Sequence, residues 1–171
     1  PDYFSIYLEP LSKAWNVAEN GGEIPDVATA LTLSKEQKYI DLGSIAKGYI
    51  TENLSEILKK NGVTSAMINL GGNAYAIGKK PTGENWKVGI ADPKCESEIV
   101  GIITAENIAV ITSGNYHRYF EIDQKRYHHI LDPKTGYPAN SGVHSVTVIC
   151  ESAELADILK NGSSYALYGY A

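Results

Sequence analysis

Apolar residues recur at helical spacing over residues 44–60, at Ile45, Tyr49, Ile50, Leu54, Ile57 and Leu58. This predicts one long helix whose last turn carries Lys59 and Lys60, where positive charge suits the dipole. Asn61-Gly62 supplies left-handed residues to end it. Ala66–Leu70 then reads as a buried strand running into Gly71-Gly72-Asn73. Ala74–Gly78 and Trp86–Ile90 read as two strands paired across the loop 79–85. Val100–Ile103, Ala109–Thr112, Tyr119–Ile122 and Ser145–Ile149 continue a β-rich middle. A second helix is expected from Ser152, a suitable N-cap, with Leu155, Ala156, Ile158 and Leu159 as its apolar positions. Residues 18–26 read as a loop, and 38–42 as a short extended segment ending at Asp41. Short strands with a few longer helices make this an α+β chain.

Composition narrows the function classes. A formal charge of −5 argues against a nucleic-acid surface, which is basic. No basic run suited to anionic lipid is present, and no apolar stretch approaches a membrane span. The chain opens at Pro1-Asp2-Tyr3 without Met, which leaves room for an upstream segment, anchor or leader. Cys95 and Cys150 match no metal spacing. Cys150 reads as a buried thiol and Cys95 as an exposed one. The 12 tyrosines against 2 phenylalanines suit ligand sites or strand packing equally.

Five segments carry candidate chemistry. Asp41-Leu-Gly-Ser-Ile-Ala-Lys-Gly-Tyr49 leads through a tight turn into a helix N-terminus, which favours anions. A cation at Lys47 opposes the dipole there, so a bound phosphate would account for it; otherwise Lys47 is a solvated charge. Asp41 is either a cap, an acceptor for an adenine or ribose, or a metal ligand. This segment is neither a Walker A loop nor a dinucleotide fingerprint. The glycines of Asn69-Leu-Gly-Gly-Asn73 form a tight turn or admit a ligand. Thr112-Ser113-Gly114 offers hydroxyls and amides to a pyrophosphate or flavin edge. His129 and Asp132, beside the turn Asp-Pro-Lys-Thr-Gly, are an acid–base or metal pair, or a structural His beside a turn-forming Asp. Asp157 is an exposed dipole partner or a hard oxygen ligand for Mg²⁺.

Together and in order, these segments resemble the FAD:protein FMN transferase (ApbE) family. Its pattern runs Asp-Leu-Gly-Gly-Ile-Ala-Lys-Gly-Tyr, Asn-Leu-Gly-Gly, Trp-x-Val-Gly-Ile-x-Asp-Pro and Thr-Ser-Gly-Asp-Tyr-x-Arg-Tyr-Phe. His-Ile-x-Asp-Pro-x-Thr-Gly-Tyr-Pro and Ala-Asp-Ala-Leu-Ser-Thr follow. The matches here are residues 41–49, 69–73, 86–93, 112–120, 129–138 and 155–159. Phe4 to Trp15 looks like a worn copy of the family's Phe-Asp-x-Thr-x-Gly-Pro-Leu-x-x-Leu-Trp.

The resemblance implies a T-fold-like architecture of mixed and antiparallel sheets with packed helices, in a single domain over 1–171 lacking an upstream segment and some loops. It implies a Mg²⁺-dependent enzyme with FAD as substrate. A Thr or Ser hydroxyl of an acceptor flavoprotein would take the FMN half, and AMP would leave. By position, Asp157 would be the metal carboxylate, the Ser44 carbonyl a second ligand, and Asn161, or Ser163 or Ser164 after a register shift, a third. Asp41, Lys47, Phe4, Ser5, Thr112, Ser113 and Gly114 would contact FAD, and His129 would contact it and move a proton. Asn161 stands where the family has Thr, Ser44 where it has Gly, and Asn115 where it has Asp. Alternatives are an FAD pyrophosphatase, with water as acceptor, or a flavin-binding protein that has lost catalysis. An extracytoplasmic setting is implied, membrane-associated only through an N-terminal lipoprotein anchor, with no nucleic-acid partner.

Overall fold

The computed structural model describes residues 5–17 and 21–162, the last two by backbone alone. Among these residues the chain is α+β, with four helices and eight strands. The helices are α1 (Glu9–Trp15), α2 (Val27–Ser34), α3 (Ala46–Lys60) and α4 (Ala153–Gly162). The strands are β1 (Ala66–Leu70), β2 (Asn73–Ile77), β3 (Trp86–Asp92), β4 (Cys95–Ala105), β5 (Ala109–Gly114), β6 (Tyr119–Ile122), β7 (Lys125–His128) and β8 (Ser145–Cys150). The chain divides into two compact units, one of residues 1–42 and 114–144, the other of 43–113 and 145–171.

The second unit is built on a four-stranded sheet in the order β1-β2-β5-β8. β1 and β2 form an antiparallel hairpin in which Leu70 faces Asn73. Gly71 and Gly72, its two loop residues, have φ of 55° and 91°. A two-residue hairpin loop of the I′ kind requires positive φ at both positions, which glycine adopts without strain. The paired glycines therefore make the tight turn. β2 is buried along its whole length and pairs antiparallel with β5, Tyr75 facing Ala109. Ile68, Tyr75, Ile77, Ala109, Ile111, Ala153 and Ala156 form the core, with Leu54, Leu58 and Val148 against it.

Strand pairing departs from the sequence expectation. Residues 74–78 do not pair with 86–90: β2 sits between β1 and β5, while β3 pairs with β4 in a separate hairpin. The apolar run in β3 carries no label for its partner, and the adjacent β4 is longer than its apolar stretch suggests. Residues 38–42 join no strand, and a fourth hairpin strand, β7, follows β6.

The core-facing stripe of α3 also differs. Tyr49, Ile50 and Ile57 are exposed, and the buried positions are Gly48, Thr51 and Ser55. These three recur at helical spacing, but as small residues rather than apolar ones. The reason is close approach to α4. A Cβ built on Gly48 would overlap Asp157 Cβ and lie 2.6 Å from the Ala153 carbonyl oxygen. Ser152 caps α4 as expected, its Oγ accepting from Leu155 N–H at 3.1 Å. Both cysteines are free, Cys95 exposed and Cys150 half-buried.

The first unit has an aromatic core. Trp15, Leu11, Ala30 and Phe120 are buried together, with Tyr127, Leu131 and Tyr137 around them. Trp15 Nε1–H donates to the Gly136 carbonyl at 2.8 Å, and the Trp15 and Tyr137 rings meet edge-on at 5.0 Å. The loop expected over 18–26 ends in Asp26, which caps α2 by accepting from Thr29 N–H at 3.0 Å.

Gly48→Ala tests the helix contact. Alanine gains about 1 kcal/mol of helix propensity over glycine, but overpacking costs about 1–3 kcal/mol, occasionally more. The backbone and carboxylate neighbours leave it no room, so a net loss of about 1–2 kcal/mol is expected in urea unfolding. A neutral or stabilised variant would contradict the close approach.

Candidate functional site

The turn through Gly43, Ser44 and Ile45 enters α3 with no side-chain cap on Ile45 and no acid in the first turn. N–H groups at such an end lack helix partners and carry positive partial charge. Gly48 N–H donates to Asp157 Oδ2 at 2.7 Å, a contact spanning 109 residues of sequence. Asp157 thus serves the N-terminus of α3 from α4. Glu52, on α3, returns the arrangement by accepting from Ala153 N–H and Glu154 N–H at the start of α4. Each helix start receives a carboxylate from the other helix.

Two more groups complete the surroundings of Asp157. Asn73 Nδ2 donates to Asp157 Oδ1 at 3.2 Å. Lys160, three residues further along α4, pairs its ammonium with the same oxygen. It also donates to Asn73 Oδ1 at 3.3 Å. The three side chains close a triangle. Asp157 and Asn73 are 0% exposed and Lys160 8%. A buried carboxylate is tolerated when paired and hydrogen-bonded, and here it is both.

Lys47, the second residue of α3, donates from Nζ to the Gly71 carbonyl at 3.3 Å. The β1–β2 turn therefore lies beside the start of α3. Thr112 lies in β5, its hydroxyl 2.9 Å from that of Thr147. Ser113 follows it, half-buried. The structure so brings Lys47, Gly48, Asn73, Asp157 and Lys160 together around one helix start, with Ser44 in the turn before it.

The family's implied Mg²⁺ can be tested against these groups. A hard divalent cation takes oxygen ligands. Among the groups set against Asp157 are an amide N–H, a carboxamide NH₂ and an ammonium, all donors. Among the described residues, no group of three or more His, Cys, Asp or Glu could hold a metal. As arranged, the residues fit an anion's neutralisation and do not fit a divalent cation. The Asn161 side chain and Phe4 lie outside the described residues.

Asp41, Ser5, Gly114 and His129 belong to the first unit. Asp41 N–H donates to the Ile6 carbonyl at 2.7 Å. Ser5 Oγ accepts from Tyr7 N–H at 3.2 Å. At Gly114, a side chain would collide with the Tyr116 ring, which fixes the residue type sterically. Asp132 forms its turn, accepting from Lys134 N–H at 2.9 Å and the Thr135 hydroxyl at 3.3 Å. It is thereby the turn-forming Asp of the two readings.

His129 is half-buried. Its Nδ1 lies 3.1 Å from the Arg118 carbonyl. A carbonyl only accepts, so Nδ1 carries the proton and Nε2 keeps its lone pair. Burial first, then the Arg118 charge, push its pKa down from 6.5 to about 4. His129 is therefore a neutral imidazole at pH 7 with an unprotonated Nε2.

Asn73, Lys160 and Glu52 were not singled out by motif reading. The i, i+3 spacing of Asp157 and Lys160 was the available signal for a pair on one helix face; their burial had none.

Comparison with known proteins identifies the family. The ApbE family model matches residues 2–165. FAD:protein FMN transferases of Klebsiella pneumoniae and Treponema pallidum are each 37% identical over 91% of this chain, covering 54% and 52% of their own lengths. The chain thus spans about half the length of these relatives. The crystal structure of the ApbE protein of Thermotoga maritima superposes with a TM-score of 0.84 at 33% identity, over 94% of this chain and 58% of that one. Apo flavinyl transferase ApbE of Pseudomonas stutzeri gives 0.79 at 31% identity, over 94% and 56%. With six motifs in order, the same fold and a family match over nearly its whole length, this chain belongs to the ApbE family.

Proposed function

We propose that this protein transfers FMN from FAD to a Thr or Ser hydroxyl of an acceptor protein and releases AMP. The observation that carries the reading is the family match over residues 2–165, with curated relatives that are FAD:protein FMN transferases. Chemically, the acceptor oxygen forms a bond to the FMN-side phosphorus. The bond from that phosphorus to the bridging oxygen breaks, and the bridging oxygen leaves with AMP. Charge builds on the phosphoryl oxygens, so positioning and positive charge are the main demands on the protein.

In this proposal Lys47 sets its ammonium at the start of α3, close to the β1–β2 turn, and contacts the pyrophosphate. Asp41, Ser5, Thr112, Ser113 and Gly114 contribute to holding FAD on the strength of the motif resemblance. His129 takes the acceptor's proton on Nε2, which its hydrogen bond to Arg118 leaves available. Mg²⁺, when bound, would supply charge neutralisation at the pyrophosphate. The donors around the Asp157 carboxylate speak against such a site there. That same pairing favours the second reading, a flavin-binding protein without transfer. The extracytoplasmic setting rests on the resemblance alone.

The test is to incubate the protein with FAD, Mg²⁺ and a peptide bearing an exposed Thr, and to follow intact mass and AMP. A gain of one FMN with equivalent AMP is expected. FMN and AMP without modification would indicate the pyrophosphatase, and intact bound FAD the non-catalytic reading. His129→Ala should lower transfer about 10²–10⁴-fold with FAD binding kept. Protonation removes the base, so transfer should fall as pH drops through the folded value of about 4, and stay level across 6.5. A His129-dependent fall centred at 6.5 would contradict the assigned environment.

A further inference from the structure

The structure assigns to Lys160 the role of a built-in counter-cation that takes the place of a divalent metal at Asp157. The inference rests on the ApbE reading only for the identity of the metal replaced. Two observations carry it. First, Lys160 pairs with a carboxylate that is 0% exposed, while its own exposure is 8%, so this is an interior ion pair rather than a surface one. Second, Asn73 locks the geometry. Its amide NH₂ faces Asp157 and its amide oxygen faces the Lys160 ammonium, at 3.2 and 3.3 Å, which orients the carboxamide one way only.

The consequences follow from charge and ligand type. A cation entering at Asp157 would meet an ammonium on the same carboxylate oxygen, and like charges at that separation repel strongly. It would also find donors where it needs oxygens. Gly48 N–H already holds the other carboxylate oxygen. The Asp157 corner is therefore neutral without metal, and Lys160 rather than a divalent ion keeps it so.

Mn²⁺ serves as the probe, followed by electron paramagnetic resonance on the whole chain with and without FAD. Because this readout is metal binding, it stands apart from whether the protein transfers FMN. Wild type and Asp157→Asn should bind Mn²⁺ alike. Lys160→Ser should bind it at least about tenfold more tightly than wild type. Lys160→Gln, which keeps a donor toward Asp157, serves the same purpose if the serine variant does not fold. Tight Mn²⁺ binding in wild type that Asp157→Asn abolishes would overturn the inference. So would a folded Lys160 variant that gains no affinity. Anomalous scattering from wild-type crystals soaked in Mn²⁺ decides the point without any variant: no peak beside Asp157 supports the inference, and a peak there overturns it.

Discussion

A carboxylate without access to water must find its counter-charge and its hydrogen-bond donors inside the protein. Asp157 meets that demand by drawing on the start of α3, the first residue of β2 and the body of α4. The demand explains residues that otherwise look unrelated. Position 48 is glycine because the carboxylate must approach the helix backbone. Position 73 is asparagine because one side chain has to donate to the anion and accept from the cation. Position 160 carries an ammonium because removing one partner of a buried pair costs about 3–5 kcal/mol. Glu52 repeats the device in the other direction at the start of α4. The start of α3 is thus fixed by an acid from α4 in place of a local cap, and the start of α4 by Glu52 together with its Ser152 cap.

This arrangement has a functional cost and a functional use. An open helix N-terminus favours a phosphate, and Asp157 takes one of the amides that would serve it. In exchange, the first turn of α3 is held rigidly, with Lys47 beside the β1–β2 turn. The proposed transfer of FMN depends on positioned positive charge more than on covalent chemistry. Preorganised lysines are consistent with that need.

Much of this was legible in the sequence, and the rest failed for physical reasons. The end of α3 was readable from Lys59, Lys60 and Gly62, whose φ is 81°, because caps are local chemistry, although Asn61 at φ −92° is not left-handed. The turn at Asp132 was readable for the same reason. Of the inward face of α3, Leu54 and Leu58 were readable, but Gly48, Thr51 and Ser55 were not, because they leave no hydrophobic signal where two helices approach closely. Strand partners were not readable either: β2 prefers β1 and β5 over β3 through register and burial, which no single segment encodes. Asp157 could be recognised as important, but the sequence alone could not tell an exposed dipole partner or metal ligand from an interior ion pair.

The most direct test of the Asp157-centred account is a double-mutant cycle of Asp157→Asn and Lys160→Met, read by urea unfolding. Each single change leaves a buried charge without its counter-charge, whereas the double change removes both charges. The account predicts a coupling energy of about 2 kcal/mol or more, with the double variant far less destabilised than the sum of the singles. Effects that add to within about 0.5 kcal/mol would contradict it.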